Sequence, residues 1–224
     1  MIFVNFKTYK EASGENAVSL AKIVEEVQHV TSVKIFPVVQ ATDVKEIKEK
    51  TSLEVWVQNI DPVSFGAHTG AILPEATVED GASGTFLNHS ESKFSSFDEL
   101  EKAEKRAKEA GLKTLIFASN LEELERVCQF KPDFVAYEPP ELIGSATISV
   151  AEAKPEVISQ ALGIARKFAL PLIVGAGIHS KEDVARSLEL GALGIAVSSA
   201  VVLAHNPKEK LLELASGFGL GNRR

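Results

Sequence analysis

Three side chains in this sequence could together move a proton next to a carbonyl group. Glu138 ends a short apolar run and is followed by two prolines, and His89 and Lys7 also follow apolar or β-branched runs. In such a set Glu138 would abstract the proton, His89 would polarise an oxygen, and Lys7 would offset the negative charge that develops. The residue types therefore suggest acid–base catalysis on a small carbonyl compound.

Each of these residues also has an ordinary explanation when it is taken alone. Glu138 could be a solvated glutamate at a loop start, Lys7 a surface lysine, and His89 a loop histidine satisfied by its neighbours. His89, however, precedes a polar turn that could begin a helix, where the cationic form of an imidazole is disfavoured. A neutral imidazole could act as a hydrogen-bond donor to a carbonyl.

Other site chemistries fit the sequence less well. An acyl-transfer triad is disfavoured because Ser90 adjoins His89 and no Gly-x-Ser-x-Gly turn is present. We expect no metal site, since His68, His89 and His179 lie on separate segments without a metal-ligand spacing. The single cysteine, Cys128, cannot form an internal disulfide and is expected to be a half-buried helix residue.

The elements that must position these side chains alternate between strand and helix. Eight apolar or β-branched runs predict strands at Ile2–Phe6, Val33–Val39, Glu54–Gln58, Gly84–Asn88, Lys113–Ala118, Phe134–Tyr137, Leu170–Gly175 and Leu193–Val197. Segments with helical spacing lie between or after them, at residues 16–28, 41–50, 74–80, 97–110, 121–129, 154–168, 181–190 and 207–217. Gly111 and Gly191 are expected to end helices, and Ser180 to begin one.

This alternation predicts the α/β class and a parallel sheet. Eight units without a linker favour a closed (β/α)₈ barrel as a single domain over residues 1–224. An open dinucleotide-binding sheet would need a glycine-rich loop after its first strand, and Asn5-Phe6-Lys7 stands there instead.

In a closed barrel the carboxyl ends of the strands converge on one site. The residues at and just past the strand ends are then candidates for that site: Asn5-Phe6-Lys7, Asn88-His89-Ser90-Glu91, Glu138, Gly175-Ala176-Gly177 and Ser198-Ser199. Gly-x-Gly alone is a weak motif and could be only a tight turn. A helix after Ser198 and Ser199 would present backbone N–H groups to a phosphate.

Composition limits the partners. The chain has 224 residues and a net charge of −7, and its basic residues are interleaved with acids, which argues against nucleic-acid binding. It has no apolar run long enough to cross a membrane, and it begins directly with a strand pattern rather than a leader. We therefore expect a cytoplasmic protein without membrane contact.

Five segments in order along the chain resemble the triosephosphate isomerase family, of the short archaeal kind. They are Asn5-Phe6-Lys7, Gly66-Ala67-His68-Thr69-Gly70, Asn88-His89-Ser90-Glu91, Tyr137-Glu138-Pro139-Pro140-Glu141-Leu142-Ile143-Gly144 and Gly175-Ala176-Gly177-Ile178. The resemblance implies a cofactor-free isomerase that interconverts glyceraldehyde 3-phosphate and dihydroxyacetone phosphate.

The resemblance also implies roles for individual residues. Glu138 would be the base, His89 the neutral electrophile and Lys7 the substrate-binding cation, with Asn5 and Phe6 beside Lys7. The phosphate would be held at Gly144, Gly177, Ser198 and Ser199, with Ile143 closing over it as part of a lid. Pro139 and Pro140 would stiffen one hinge of that lid.

Self-assembly is a further implication. Residues 66–70 look like the family's third loop, which packs into a neighbouring subunit, so a homodimer is expected as the minimum and a homotetramer is compatible. The chain departs from the family at Ala146, which replaces a hinge glycine, and at Ser198-Ser199, which replaces a glycine pair. Alanine restricts φ and could slow or shift lid closure.

Two alternatives stay open at this point. One is a related phosphate-binding barrel acting on another sugar phosphate, which would not need Lys7, His89 and Glu138 together. The other is a catalytically silent barrel that serves as a binding or scaffold protein, which could lose any of the three.

Overall fold

Eight parallel strands form a closed barrel. A computed structural model describes residues 1–138 and 155–219 of the chain. The strands are β1 (Ile2–Asn5), β2 (Ile35–Val39), β3 (Trp56–Val57), β4 (Gly84–Leu87), β5 (Lys113–Ala118), β6 (Phe134–Tyr137), β7 (Leu172–Val174) and β8 (Gly194–Val197). Each strand pairs with the next, and β1 pairs with β8, so that Ile2 lies between Ile35 and Ile195 and no strand is left with an open edge.

Helices follow the strands and cover the outside of the barrel. They are α1 (Glu15–Thr31), α2 (Val44–Lys50), α3 (Pro74–Glu79), α4 (Phe97–Ala110), α5 (Leu121–Cys128), α6 (Pro155–Lys167), α7 (Lys181–Leu190), α8 (Ser199–Val202) and α9 (Pro207–Ser216). Short 3₁₀ helices, Lys10–Ala12 and Ala41–Asp43, precede α1 and α2. The predicted (β/α)₈ barrel is therefore confirmed.

The predicted elements differ from the observed ones mainly at their ends. All eight strands are present, but β3 spans only Trp56–Val57 where five residues were expected. The expected helix ends are confirmed, because Gly111 and Gly191 adopt φ of 93° and 110° after α4 and α7. Ser180 begins α7 with a reciprocal capping box to Asp183.

Alternation along the strands produces two separate layers of core. Phe3, Trp56, Phe86 and Phe117 point into the barrel and belong to one buried cluster, with ring centroids 5.0 Å apart between Phe3 and Trp56. The intervening side chains pack outward against the helices. Gly84 makes room for this inner layer, because a Cβ there would lie 2.5 Å from the Trp56 ring.

The cysteine departs from its expected environment. Cys128 is the last residue of α5 and is fully buried in the outer core rather than half-buried. Burial raises the pKa of its thiol to about 11, so the thiol stays protonated near neutral pH.

Within the described ranges, no helix has the length and apolar character needed to cross a membrane.

Candidate active site

The candidate site is a cavity at the carboxyl ends of the strands. Its volume is about 90 Å³. Residues from loops after five strands line it: Asn5, Lys7, His89, Glu138, Gly175, Ala176, Gly177, Ile178, His179, Ser198, Ser199 and Ala200, above the barrel residues Phe86, Phe117, Ala196 and Val197. Most of the residues predicted from the strand ends therefore meet in one place.

Lys7 reaches this cavity from an unusual backbone conformation. Its φ is +48°, in the left-handed region that residues with a Cβ rarely adopt. Two side chains fix the backbone there: Asn5 Oδ1 accepts a hydrogen bond from the Lys7 N–H at 3.0 Å, and Gln58 Nε2 donates to the Lys7 carbonyl at 2.9 Å. Strain held by its surroundings is typical of residues whose direction matters for function.

The ammonium group of Lys7 forms a salt bridge with Glu91, which lies in the loop after β4. Its Nζ lies 2.7 Å from Oε1 of Glu91, with 21% of the lysine side chain exposed. The pair keeps a cation at the cavity mouth while leaving the ammonium accessible. An approaching anion could take up the remaining N–H donors of Lys7.

His89 is held as a neutral imidazole of defined tautomer. Its Nδ1 accepts a hydrogen bond from the backbone N–H of Glu91 at 3.1 Å, so the ring proton resides on Nε2, which faces Glu138. Burial lowers the pKa of His89 to about 4, helped by the nearby charges of Lys7 and Lys93 and opposed by Glu91. Nε2–H is therefore a donor throughout the neutral pH range.

The sequence suggested that a helix N-terminus keeps His89 neutral, and this was wrong. No helix begins at His89, because residues 89–92 form a turn closed by a bond from Ser92 N–H to the His89 carbonyl at 2.8 Å. Helix α4 begins only at Phe97. Desolvation and a single turn N–H thus replace the predicted effect of a helix N-terminus.

Glu138 is a buried carboxyl group beside the imidazole. Its Oε1 lies 3.7 Å from His89 Nε2, and 8% of its side chain is exposed. Burial raises the pKa of Glu138 to about 7, while nearby Ser90 and the charge of Lys7 pull the value down more weakly. Among the described residues, Glu138 Oε2 and the Ser90 hydroxyl make no hydrogen bond of normal geometry. An acceptor with a pKa near 7 and a free oxygen is suited to act as a base.

The part of the cavity wall between Glu138 and Lys7 is formed by the loops after β7 and β8, since β7 pairs with β6 and β8 pairs with β1. Gly177 has a φ of +65°, and the following turn is fixed by Asp183, whose carboxylate accepts the N–H of His179 at 2.9 Å. Ser198 precedes the short helix α8, and its hydroxyl is buried without a hydrogen-bond partner among the described residues. This part of the wall offers polar groups to a ligand in the cavity.

Some predicted site residues are not in the cavity wall. Phe6 is fully buried in the outer core, since alternation along β1 turns Asn5 inward and Phe6 outward. The prediction that the Phe6 side chain lies beside the substrate is therefore wrong. Ile143, Gly144 and the two lid hinges, at Pro139-Pro140 and Ala146, lie outside the described residues.

The sequence reasoning missed one supporting residue and one supporting contact. Gln58 directly follows β3, so the rule that polar residues past strand ends collect at one site would have found it. Glu91 was among the strand-end candidates, but its pairing with Lys7, which spans 84 positions in sequence, was not predicted. A metal cluster of three or more His, Cys, Asp or Glu side chains does not occur in ranges 1–138 and 155–219.

The fold and site define a single (β/α)₈ barrel with an acid–base cavity at the carboxyl ends of its strands. A profile described as triosephosphate isomerase matches residues 1–216. The chain belongs to the triosephosphate isomerase family.

Two triosephosphate isomerases are similar in sequence to this protein over nearly the whole chain. The triosephosphate isomerase of Saccharolobus solfataricus is 42% identical over 214 residues, covering 95% of this chain and 93% of the relative. That of Methanothermus fervidus is 41% identical over 216 residues, covering 96% of each. Both organisms fit the expected archaeal kind.

A solved structure shares the fold. The triosephosphate isomerase from Bartonella henselae superimposes with a TM-score of 0.73, covering 98% of this chain and 97% of that one. Its identity is 18%, so this likeness supports the barrel architecture alone.

Proposed function

We propose that this protein interconverts D-glyceraldehyde 3-phosphate and dihydroxyacetone phosphate by proton transfer through an enediolate. The observation that carries the proposal is the pairing of Glu138, with a raised pKa of about 7, with neutral His89 at 3.7 Å inside one cavity. Family membership and relatives about 40% identical over almost all of the chain support the same reaction.

The proposed chemistry assigns one task to each side chain. Glu138 removes a proton from the carbon next to the carbonyl and returns it to the neighbouring carbon. The Nε2–H of His89 donates to the substrate oxygens as negative charge develops on them. Lys7 offsets the charge of the enediolate and of the bound substrate. This division of acid and base between the two groups is the pattern described for triosephosphate isomerases in general.

The phosphate of the substrate would bind at the loops after β7 and β8. Gly177, Ser198 and Ser199 are the described residues proposed for it, and the buried, unpartnered hydroxyl of Ser198 supports this side. Gly144 and Ile143 complete the proposed set from outside the described residues. No cofactor or metal is needed for a proton transfer of this kind.

A homodimer is proposed as the minimum assembly, with residues 66–70 at the interface. The segment is exposed around Phe65, which is 75% exposed, and its base is held rigidly. Asp61 Oδ2 accepts the N–H of Ile72 at 2.6 Å, and Arg106 Nε donates to the Val63 carbonyl at 2.9 Å. A stiff, exposed, partly apolar loop is suited to insertion into a second copy, and a homotetramer would need further contacts.

The remaining expectations concern the location of the protein and the classes of partner that it does not bind. A cytoplasmic location, with neither nucleic acid nor membrane as a partner, is in keeping with the net charge of −7 and its interleaved lysines and acids. The alternative of a silent scaffold is disfavoured because Lys7, His89 and Glu138 all line the cavity.

The experiment that tests the reaction uses purified protein and glyceraldehyde 3-phosphate. We expect dihydroxyacetone phosphate to accumulate until both compounds reach equilibrium. No conversion at micromolar enzyme would exclude the isomerase. A sugar phosphate of another chain length that is converted while the trioses are not would favour the related barrel enzyme.

A further inference from the structure

Glu123 lies outside the cavity wall yet is bonded to the loop that carries His89. It stands on α5, with 15% of its side chain exposed. Its Oε1 accepts hydrogen bonds from Asn88 Nδ2 at 2.8 Å and from Lys93 Nζ at 2.7 Å, and its Oε2 accepts the N–H of Ser119 at 2.7 Å. One carboxylate therefore joins the loop after β4 to the loop after β5.

Asn88, the residue before His89, is one of the residues that Glu123 binds. It is buried and adopts a φ of +60°, in the left-handed region. Its amide nitrogen donates to the Phe117 carbonyl at 3.0 Å as well as to Glu123. Asn tolerates this region better than other residues with a Cβ, and Glu123 supplies one of the two acceptors that fix its amide group there.

Glu123 holds the loop on both sides of the imidazole. Asn88 precedes the turn of residues 89–92, and Lys93 follows it, so one carboxylate binds both ends of this segment. Within the turn, the Glu91 N–H that fixes the His89 tautomer is 3.1 Å from Nδ1. Release of either end would let this N–H move away from the ring.

The charge on Glu123 is needed for these contacts, since all three partners are donors. Burial alone would raise the pKa of Glu123, but hydrogen bonds from Lys93, Ser119 and Asn88 together lower it below its usual range. The carboxylate therefore stays ionised at neutral pH. A neutral amide in its place would turn an N–H₂ group toward at least one of the donors.

We propose that Glu123 is a positioning residue for the isomerisation, which acts by fixing Asn88 and Lys93 on either side of the segment that carries His89. The inference rests on the proposed function for its kinetic consequence. Its structural consequence, the single tautomer of His89, is independent of which substrate the enzyme takes.

The test compares Glu123→Gln and Lys93→Met with two matched variants. Glu122→Gln removes an exposed carboxylate from the same helix turn, and Lys93→Arg keeps the cation. We expect kcat to fall about 10- to 100-fold in Glu123→Gln and Lys93→Met, with KM changed less than about 2-fold, because misplacing a reacting group is costly in rate. Lys93→Arg should restore most of the rate lost in Lys93→Met.

A second readout separates positioning from stability. Nitrogen NMR of His89 should show one neutral tautomer with Nε2 protonated in the native protein and in Glu122→Gln. In Glu123→Gln a mixture of tautomers is expected, at a temperature where circular dichroism shows the variant folded. A folded Glu123→Gln that keeps both the native kcat and the single tautomer would overturn the proposal.

Failure of the proposed function would appear differently. If the native protein does not isomerise triose phosphates, no variant shows measurable kcat. The NMR measurement of the His89 tautomer still tests the structural role of Glu123. If Glu123→Gln lowers kcat only in proportion to its folded fraction, with the single tautomer retained, Glu123 is merely structural and the inference is wrong.

Discussion

Nε2 of His89 lies 3.7 Å from Oε1 of Glu138, and burial shifts the pKa values of the two groups in opposite directions. Desolvation disfavours the charged form of each, so the imidazole titrates at about 4 and the carboxyl at about 7. One physical cause thus provides a neutral hydrogen-bond donor and a base matched to neutral pH. Proton transfer next to a carbonyl needs this combination.

The pH profile of the reaction should follow Glu138. Because the base must be ionised, kcat/KM should rise with pH through about 7 and then level off, with no loss of rate from His89, which is already neutral above about 4. The substrate phosphate also ionises, near pH 6. If the rise of kcat/KM with pH reflects ionisation of Glu138, its midpoint should shift in Glu138→Asp. A midpoint that stays in place would show that the rise reflects ionisation of the substrate and would contradict the assignment.

The stability of the protein should also depend on Glu138. Its pKa is raised from 4.5 to about 7 on folding, so the cost of burying it is absent below 4.5, grows as pH rises and is complete above 7. Glu138→Gln should therefore stabilise the protein above pH 7 by up to about 3 kcal/mol and have little effect near pH 4. Urea denaturation of both proteins at the two pH values measures the difference. A gain that is equal at both would show that the carboxyl is not desolvated.

Loss of the cation should weaken binding and turnover together. In Lys7→Ala the cavity loses the ammonium group that we propose binds the substrate, and kcat/KM should fall at least about 100-fold, as is typical when one stabilising donor is removed. Lys22→Ala, an exposed lysine of α1, is the matched control for the change in net charge. Steady-state kinetics with either triose phosphate measures both. Small and equal losses of kcat/KM in the two variants would show that Lys7 contributes only to the overall charge of the protein.

Gln58 should influence the reaction through Lys7. Gln58→Leu keeps the size of the side chain but removes the hydrogen bond to the Lys7 carbonyl, which should destabilise the protein by about 1 kcal/mol. Because the strained backbone of Lys7 loses a constraint, we expect kcat/KM to fall about 10-fold as well. Gln129→Leu, at an exposed position after α5, should change neither quantity. Loss of stability with native kinetics would limit Gln58 to a structural role.

The sequence predicted the barrel and its three principal side chains because the signals for them are local. Apolar runs, punctuation by glycine and serine, and the convergence of strand ends are enough to bring Lys7, His89 and Glu138 together. The turn that sets the tautomer of His89 was not predicted, since its N–H geometry depends on backbone angles that the residue types do not specify. Phe6 was placed beside the substrate by the family resemblance, whereas alternation along β1 turns its side chain outward.

Specific contacts between residues that are distant in the sequence were the other part that was not predicted, although the strand-end rule could have found Gln58 itself. Gln58 meets Lys7 across 51 positions, and Glu123 meets Asn88 across 35. Neither polar residue belongs to a motif. Each pair becomes adjacent only when the strands of the barrel are in register, and Gln58 and Lys7 meet although β2 lies between the strands that they follow. Such positioning residues are visible once the fold is known.

The rate of triose phosphate isomerisation by the native protein and by Glu138→Gln tests the central claim most directly. Removal of a positioned base is expected to lower turnover by ~10²–10⁴-fold. The native protein should bring glyceraldehyde 3-phosphate and dihydroxyacetone phosphate to equilibrium, and folded Glu138→Gln should do so more slowly by at least the lower of these factors. A Glu138→Gln variant that works at nearly the native rate would contradict the assignment of Glu138 as the base.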